Sequence, residues 1–278
     1  VTACRWQARE TAAIFHQMDL STQQLVQHKG LLILAWIALL FAAERLAPAV
    51  PRRGGWTRVL RNAVLWLLNG ALSPLIVVPV SLWASSHALG WRPDWLAGWP
   101  GLIADILVLD MLIYWWHRLN HEIPFLWRFH EVHHLDEFLD VTSAVRFHFG
   151  EVLLSAGARA AVIILLGIPF TSVILFEVLV LFSAIFHHSN LKLPPRLESA
   201  LSRVIVTPSI HWIHHHALRR DTDSNYATIF SWWDLAFRSR SRTTRTAEMK
   251  IGVESRHDEE TLPLIALPFR ERREPISR

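Results

Sequence analysis

Sixteen histidines are spread through this chain of 278 residues, and eight of them fall in three short clusters. These are His117-Arg-Leu-Asn-His121, His130-Glu-Val-His133-His134 and His211-Trp-Ile-His214-His215. On a helix, residues four apart lie about 40° apart around the axis, and residues three apart about 60° the other way. Each cluster therefore projects its imidazoles from one face, one turn apart, as needed to grip a cation. Neutral imidazole is a good ligand for iron, copper or zinc. A single HxxxH at a membrane boundary is read more simply as an interfacial helix with polar ends. Three clusters are a different matter, because eight imidazoles without a ligand are hard to keep near an apolar surface. One ion accepts about four to six ligands and often keeps a position open. The count thus argues for two metal ions sharing the set, a configuration able to bind dioxygen. Spacing alone does not identify the metal. The single cysteine, Cys4, leaves no intrachain disulfide and no thiolate cluster, so nitrogen and oxygen must supply the ligands.

Further candidates follow from helical phase. Asp110, Tyr114, His117 and His121 share one face within about 60°, although Asp110 lies two turns inside the membrane from His117 and Tyr114 is the closer. An ionisable residue at that depth is a functional candidate, as is Glu177, eleven residues before His188 on nearly the same face. His187-His188 closes an apolar run, and the phase with Glu177 favours His188 over His187 as a further ligand. His148 and His216 are expected to be hydrogen-bonding neighbours. His16, His28, His87 and His257 stand alone and read as solvated or interfacial.

The elements that must carry these groups are apolar helices. Hydrophobic residues make up 51% of the chain and fourteen are Trp, a side chain favoured at membrane–water interfaces. The net charge of only +4 gives no argument for nucleic acid. Spans are expected at about 30–47, 62–85 (with Pro74 and Pro79 inside), 101–121, 152–168 and 170–188, the last two forming a hairpin about Gly167-Ile-Pro169. The loop from Arg45 to Arg61 carries five arginines, whereas 87–100 carries only Arg92, so the former should face the cytoplasm. Counting crossings from there puts 117–150 and everything after 187 on that same side. The histidines played no part in setting this orientation, yet every cluster falls on one face. The reading is an all-α, polytopic membrane helical bundle over 30–245, with a cytosolic histidine-rich di-metal cap at 117–150 and 190–238. It is flanked by a polar tail at 1–29 and a C-terminal tail, 246–278, without a readable signal. Val1-Thr-Ala-Cys4 is not read as a signal peptide, and the natural start is expected to lie elsewhere.

The segments DMLIYWWHRLNHEIPFLWRFHEVHH, TSAVRFH, FHHSNLKLP, TPSIHWIHHH and DSNYATIFSWWDLAF, in this order, resemble the fatty acid hydroxylase / sterol desaturase superfamily of membrane di-iron enzymes. The likeness covers about 101–238, and the ER-x-x-P end of the first span also fits. The resemblance implies two iron ions held by His117, His121, His130, His133, His134, His211, His214 and His215, with His188 matching an intervening ligand and Asn225 a polar residue of the site. It further implies O2 as co-substrate, a lipid to be hydroxylated, desaturated or cleaved, and electrons from outside. No haem, flavin or dinucleotide fingerprint is visible in the sequence, so a ferredoxin or a cytochrome b5-like protein with its reductase is the expected donor.

This sequence departs from the family pattern in three places. Ala227 stands where Gly usually follows NY, Phe149 follows His148 where Pro is common, and Arg238-Ser239 replaces the usual Gly-Thr after WD-x-x-F. Three other classes compete with a lipid oxygenase. A metal transporter should place its ligands near the bilayer midplane. A bis-histidine cytochrome needs single histidines facing each other inside spans. A non-catalytic relative would keep fold and ligands without turnover.

Overall fold

The computed structural model describes residues 20–270; Cys4 and His16 lie outside the described residues. Among these residues there is no strand, only helices and three isolated bridges. Five helices are long and apolar enough to cross a membrane: α1 (Leu20–Leu46), α2 (Gly55–Ser86), α3 (Gly98–Glu122), α5 (Phe149–Leu166) and α6 (Phe170–His188). Between α3 and α5 lies α4 (Pro124–His134), and short helices follow α6: α7 (Pro195–Leu201), α8 (Pro208–His214), α9 (Arg219–Thr222), α10 (Trp232–Ala236) and α11 (Thr261–Ala266). Leu31, Leu39, Leu67, Leu75 and Ile103 are more than half exposed on the spans. Water would penalise that surface; lipid chains match it, while each helix satisfies its own backbone. The chain is thus a polytopic membrane helical bundle with a histidine-rich cap.

Two boundaries differ from the sequence reading. The first helix starts ten residues earlier than the apolar run, because its polar turns have partners: the Thr22 and Thr171 hydroxyls share a hydrogen bond, and Leu25 and Val26 pack on Leu82, Phe170 and Ile174. The second starts at Gly55 and passes its prolines by widening into a π turn over Ser73–Val77, which re-registers the ladder where Pro74 has no amide to give. The bundle core, including Leu109, Ile163, Val173 and Phe176, lies where α2, α3, α5 and α6 meet.

Carboxylates knit the cap to the helix ends. Glu44, near the end of α1, accepts the backbone N–H of Val141 and of Asn190. Asn190 in turn exchanges hydrogen bonds with the backbone of Val50. Asp110 does not reach a histidine: it accepts the N–H groups of Ile229 and Phe230 and the Trp233 indole N–H, anchoring that segment to α3. Glu177 is likewise not at the histidines, pairing instead with Lys29 of α1 at 3.0 Å and Arg159 of α5 at 3.6 Å. The segment 247–270 is built into the cap. Ile251 packs with Val50, Phe138 and Trp212, Leu264 and Leu267 pack on Leu65, Val132 and Leu135, and Asp258 pairs with Arg61 and Arg146. Its sequence lacks a signal because it contributes single contacts scattered along an irregular path.

At the head of α2, buried Arg58 bonds Asp136 twice, and also Asp140, the Phe138 carbonyl and Ser143. Burial alone would raise the Asp136 carboxyl, but the Arg58 and Arg146 guanidinium groups outweigh it and hold it below its usual range. Arg58→Ala strands two buried carboxylates and is expected to cost roughly 3–5 kcal/mol. A carboxyl with a depressed folded-state pKa stabilises above its unfolded value of about 3.9 and loses that contribution as pH falls through the folded one. Unfolding in detergent should therefore show the full gap between variant and parent at pH 7, narrowing below about pH 4.

Candidate metal centre

All the clustered histidines sit at one end of the bundle. His117 and His121 are on the last turns of α3, and His187 and His188 close α6. Pro124, at the first position of α4, starts that helix after only one extended residue, Ile123, which folds His130, His133 and His134 back over α3. Pro208 likewise opens α8, bringing His211, His214 and the following His215 to face them.

The rings converge into two groups. His117, His121, His130, His134 and His214 form one, and His133, His188, His211 and His215 the other; within each, one ring nitrogen per residue lies within 4.8 Å of all the rest. All nine are buried. Trp127 covers His121 and His134 with centroids 5.0 and 5.4 Å away, and Phe147 stacks on His133 at 4.3 Å.

Hydrogen bonds from the outer nitrogens fix the tautomers. Nδ1–H donates to a carbonyl from His117 (Tyr226, 2.8 Å), His133 (Arg146, 3.2 Å), His188 (Ala184, 2.7 Å) and His214 (Ser224, 2.6 Å), and from His130 to Glu151 Oε1 at 2.9 Å. A neutral ring that spends its proton outward presents only a lone pair at Nε2. His133 Nε2 and His188 Nε2 nevertheless stand 3.1 Å apart. Two acceptors at that distance repel each other unless a cation or a proton lies between them. A proton is disfavoured, because burial, followed by the neighbouring imidazoles, drives the His133 pKa well below its usual value. The same causes lower His134, His211 and His215, and burial pushes His214 down to about 3. In the larger group, Nε2 of His117 and of His214 and both nitrogens of His121 are buried without a hydrogen-bond partner. Converging unprotonated imidazoles fit a divalent transition metal and not magnesium or calcium, which take oxygen.

The remaining candidates sit around these groups. His187 is buried beside His211, centroids 4.1 Å apart, but belongs to neither group. His148 caps α5 by accepting the Gly150 N–H and donates from Nε2 to the Ile265 carbonyl. His216 donates to Asp221. Tyr114 shares a hydrogen bond with Ser239 and meets the site only through the edge of Tyr226. Asn225, with φ 54°, donates to the Ile210 carbonyl and accepts the Ser241 N–H. That conformation, which asparagine tolerates better than most side chains, lets its neighbours Ser224 and Tyr226 both turn carbonyls to histidines.

Sequence reasoning missed Glu151, which also accepts from Asn120, and Asp223, whose Oδ1 is 3.4 Å from His121 Nδ1. Glu151 had a readable signal, a carboxylate heading an apolar run. The carbonyl acceptors had none. A divalent transition metal added to metal-free protein at about a hundred times its Kd should stabilise it by about 2.7 kcal/mol per site, read as a rise in Tm. His188→Ala should remove one part of that rise and His121→Ala another.

Comparison with known proteins follows the same residues. Residues 102–239 match the sequence profile described as fatty acid hydroxylase. The chain is 26% identical over 201 residues to the ornithine lipid hydroxylase OlsE of Rhizobium tropici, covering 72% of this chain and 60% of that one. It is 31% identical over 159 residues to a cholesterol 25-hydroxylase-like protein of Danio rerio (53% and 61% covered). With the alkylglycerol monooxygenase of Danio rerio it shares 30% over 158 residues (57% and 34%). The chain thus spans about three fifths or less of these relatives' lengths. No solved structure matches. Because the profile runs across all nine converging histidines and leaves out α1 and α2, what is shared is the site with its framework, and the chain belongs to the fatty acid hydroxylase family.

Proposed function

We propose that this chain is a lipid hydroxylase of the membrane, holding two iron ions, one in each histidine group, and facing the cytoplasm. The observation that carries the reading is the pair of unprotonated Nε2 atoms of His133 and His188, 3.1 Å apart among buried rings. That contact is favourable with a cation present, and the four- and five-histidine groups each have the ligands to hold one ion. The family and its lipid-hydroxylating relatives supply the reaction class. The orientation rests on the five arginines between Arg45 and Arg61, which lie at the histidine end of the bundle. A transporter reading is disfavoured by position, since the rings sit at the helix ends and not along a path through the midplane.

Bound iron would supply the redox chemistry that activates O2 and inserts one oxygen atom into a C–H bond, with two electrons delivered by a ferredoxin or a cytochrome b5-like protein. The protein's own residues prepare the place for it. The carbonyls of Tyr226, Arg146, Ala184 and Ser224 accept the outer N–H groups, so the proton stays on Nδ1 and the inner nitrogen would face a metal unprotonated. Glu151 does the same for His130 with a charge, making that ring a stronger donor. Trp127 and Phe147 pack against the rings and keep bulk water away.

Purified protein should contain about two irons per chain, and its membranes should contain hydroxylated lipid absent from an empty-vector control. His133→Ala should abolish the product and lower the iron content; unchanged product would overturn the reading. Glu151→Ala should weaken iron binding about 10–100-fold while leaving the helical content intact.

A further inference from the structure

A cleft of about 620 Å³ opens beside the histidine groups, and the proposed chemistry makes no use of it. Four arginines, Arg220, Arg238, Arg240 and Arg242, line it against two aspartates, Asp221 and Asp223. Both aspartates are already engaged. Asp221 accepts from the hydroxyls of Ser241 and Thr243 and from His216, and Asp223 from the Arg219 guanidinium. Among the described residues, Arg220, Arg238 and Arg242 form no ion pair, so the cleft carries surplus positive charge with room beside it.

Arg238 is held there at a conformational cost. It is the second residue after α10, and its φ is 57°, in the left-handed region that glycine adopts freely and other side chains resist. An arginine kept where the backbone favours glycine points to a use for its side chain.

The surroundings say what kind of ligand fits. Immediately before Arg238, α10 exposes Trp232 and Leu235, and Phe237 packs on Trp115, itself partly exposed on α3. Exposed indole and aliphatic groups followed by arginines mark the level where acyl chains give way to headgroups. Guanidinium groups bind phosphate and carboxylate through paired hydrogen bonds. The cleft also adjoins the five-histidine group, since Asp223 stands 3.4 Å from His121 and the Ser224 carbonyl accepts from His214.

We propose that this cleft is a subsite for the anionic headgroup of a membrane lipid, held by Arg238 and Arg242 with Arg220 and Arg240 around them. If the lipid hydroxylase reading holds, on which this step rests, the lipid seated here defines the substrate class as one with a negatively charged headgroup.

The test titrates detergent-solubilised protein with dihexanoyl phosphatidylglycerol, dihexanoyl phosphatidylcholine and inorganic phosphate, following tryptophan fluorescence. The anionic lipid should bind most tightly, and R238G and R242Q should each weaken it about fivefold, with little change for the zwitterionic lipid. R238G relieves the backbone, so loss of fold does not obscure the result; R242Q lies on exposed chain. Equal affinity for both lipids, unchanged affinity in both variants, or inorganic phosphate binding as tightly as the anionic lipid would overturn the proposal. So would variants that keep lipid affinity but lose binding of an acidic ferredoxin, which would assign the patch to the electron carrier. Iron content is measured in parallel: iron-free protein that still selects the anionic lipid sinks the hydroxylase reading alone, whereas iron-loaded protein that hydroxylates lipid without selecting by charge sinks the subsite alone.

Discussion

Nine imidazole rings are buried together at the end of this bundle, and the facing lone pairs of His133 and His188 do not hold themselves in place. The arrangement is stable when positive charge sits between them, and burial keeps a proton from serving. Much of the surrounding architecture follows from that requirement. The outer nitrogens must be given acceptors, so irregular chain turns its carbonyls inward from Arg146, Ser224 and Tyr226. The inner face must stay dry, so aromatic rings close over it.

The carboxylates have a different task. Apart from Glu151, which accepts from His130, Asp223, near His121, and Asp221, which accepts from His216, several carboxylates around the cap hold backbone and arginine. Glu44 pins the end of α6 to the end of α1, Asp110 pins the 229–233 segment to α3, and Asp136 and Asp140 take Arg58 at the head of α2. Asp234 accepts the N–H groups of Tyr226 and Ala227, and burial raises its pKa to about 6. A cap built from short helices buries too little apolar surface to fix loops to within a fraction of an ångström. Ionic and backbone hydrogen bonds supply that precision where the site needs it.

How much of this could be read from the sequence depends on how local each signal is. The clusters around His117, His130 and His211 are legible because both the spacing and the function lie within one helix. The span over 170–188 is legible for the same reason. Asp110 and Glu177 share a helical phase with histidines, but phase says nothing about depth, and both found partners far from the rings: Asp110 in the 229–233 segment and Glu177 in Lys29. The polar start of α1 and the closing role of the last segment were illegible because each depends on contacts more than a hundred residues away. The division of nine rings into a five and a four is a property of four helices meeting, which no single stretch of chain encodes.

Arg146 draws one consequence for how this protein can be cut. Its guanidinium is wholly buried and paired with Asp258, while its carbonyl accepts the His133 Nδ1–H. A truncation drawn at the edge of the family match, after residue 239, would remove that aspartate and uncover Arg146 directly behind a ring of the smaller histidine group. The packed cap therefore reaches beyond the shared homology, through the contacts of Leu264 and Leu267 with Leu65, Val132 and Leu135.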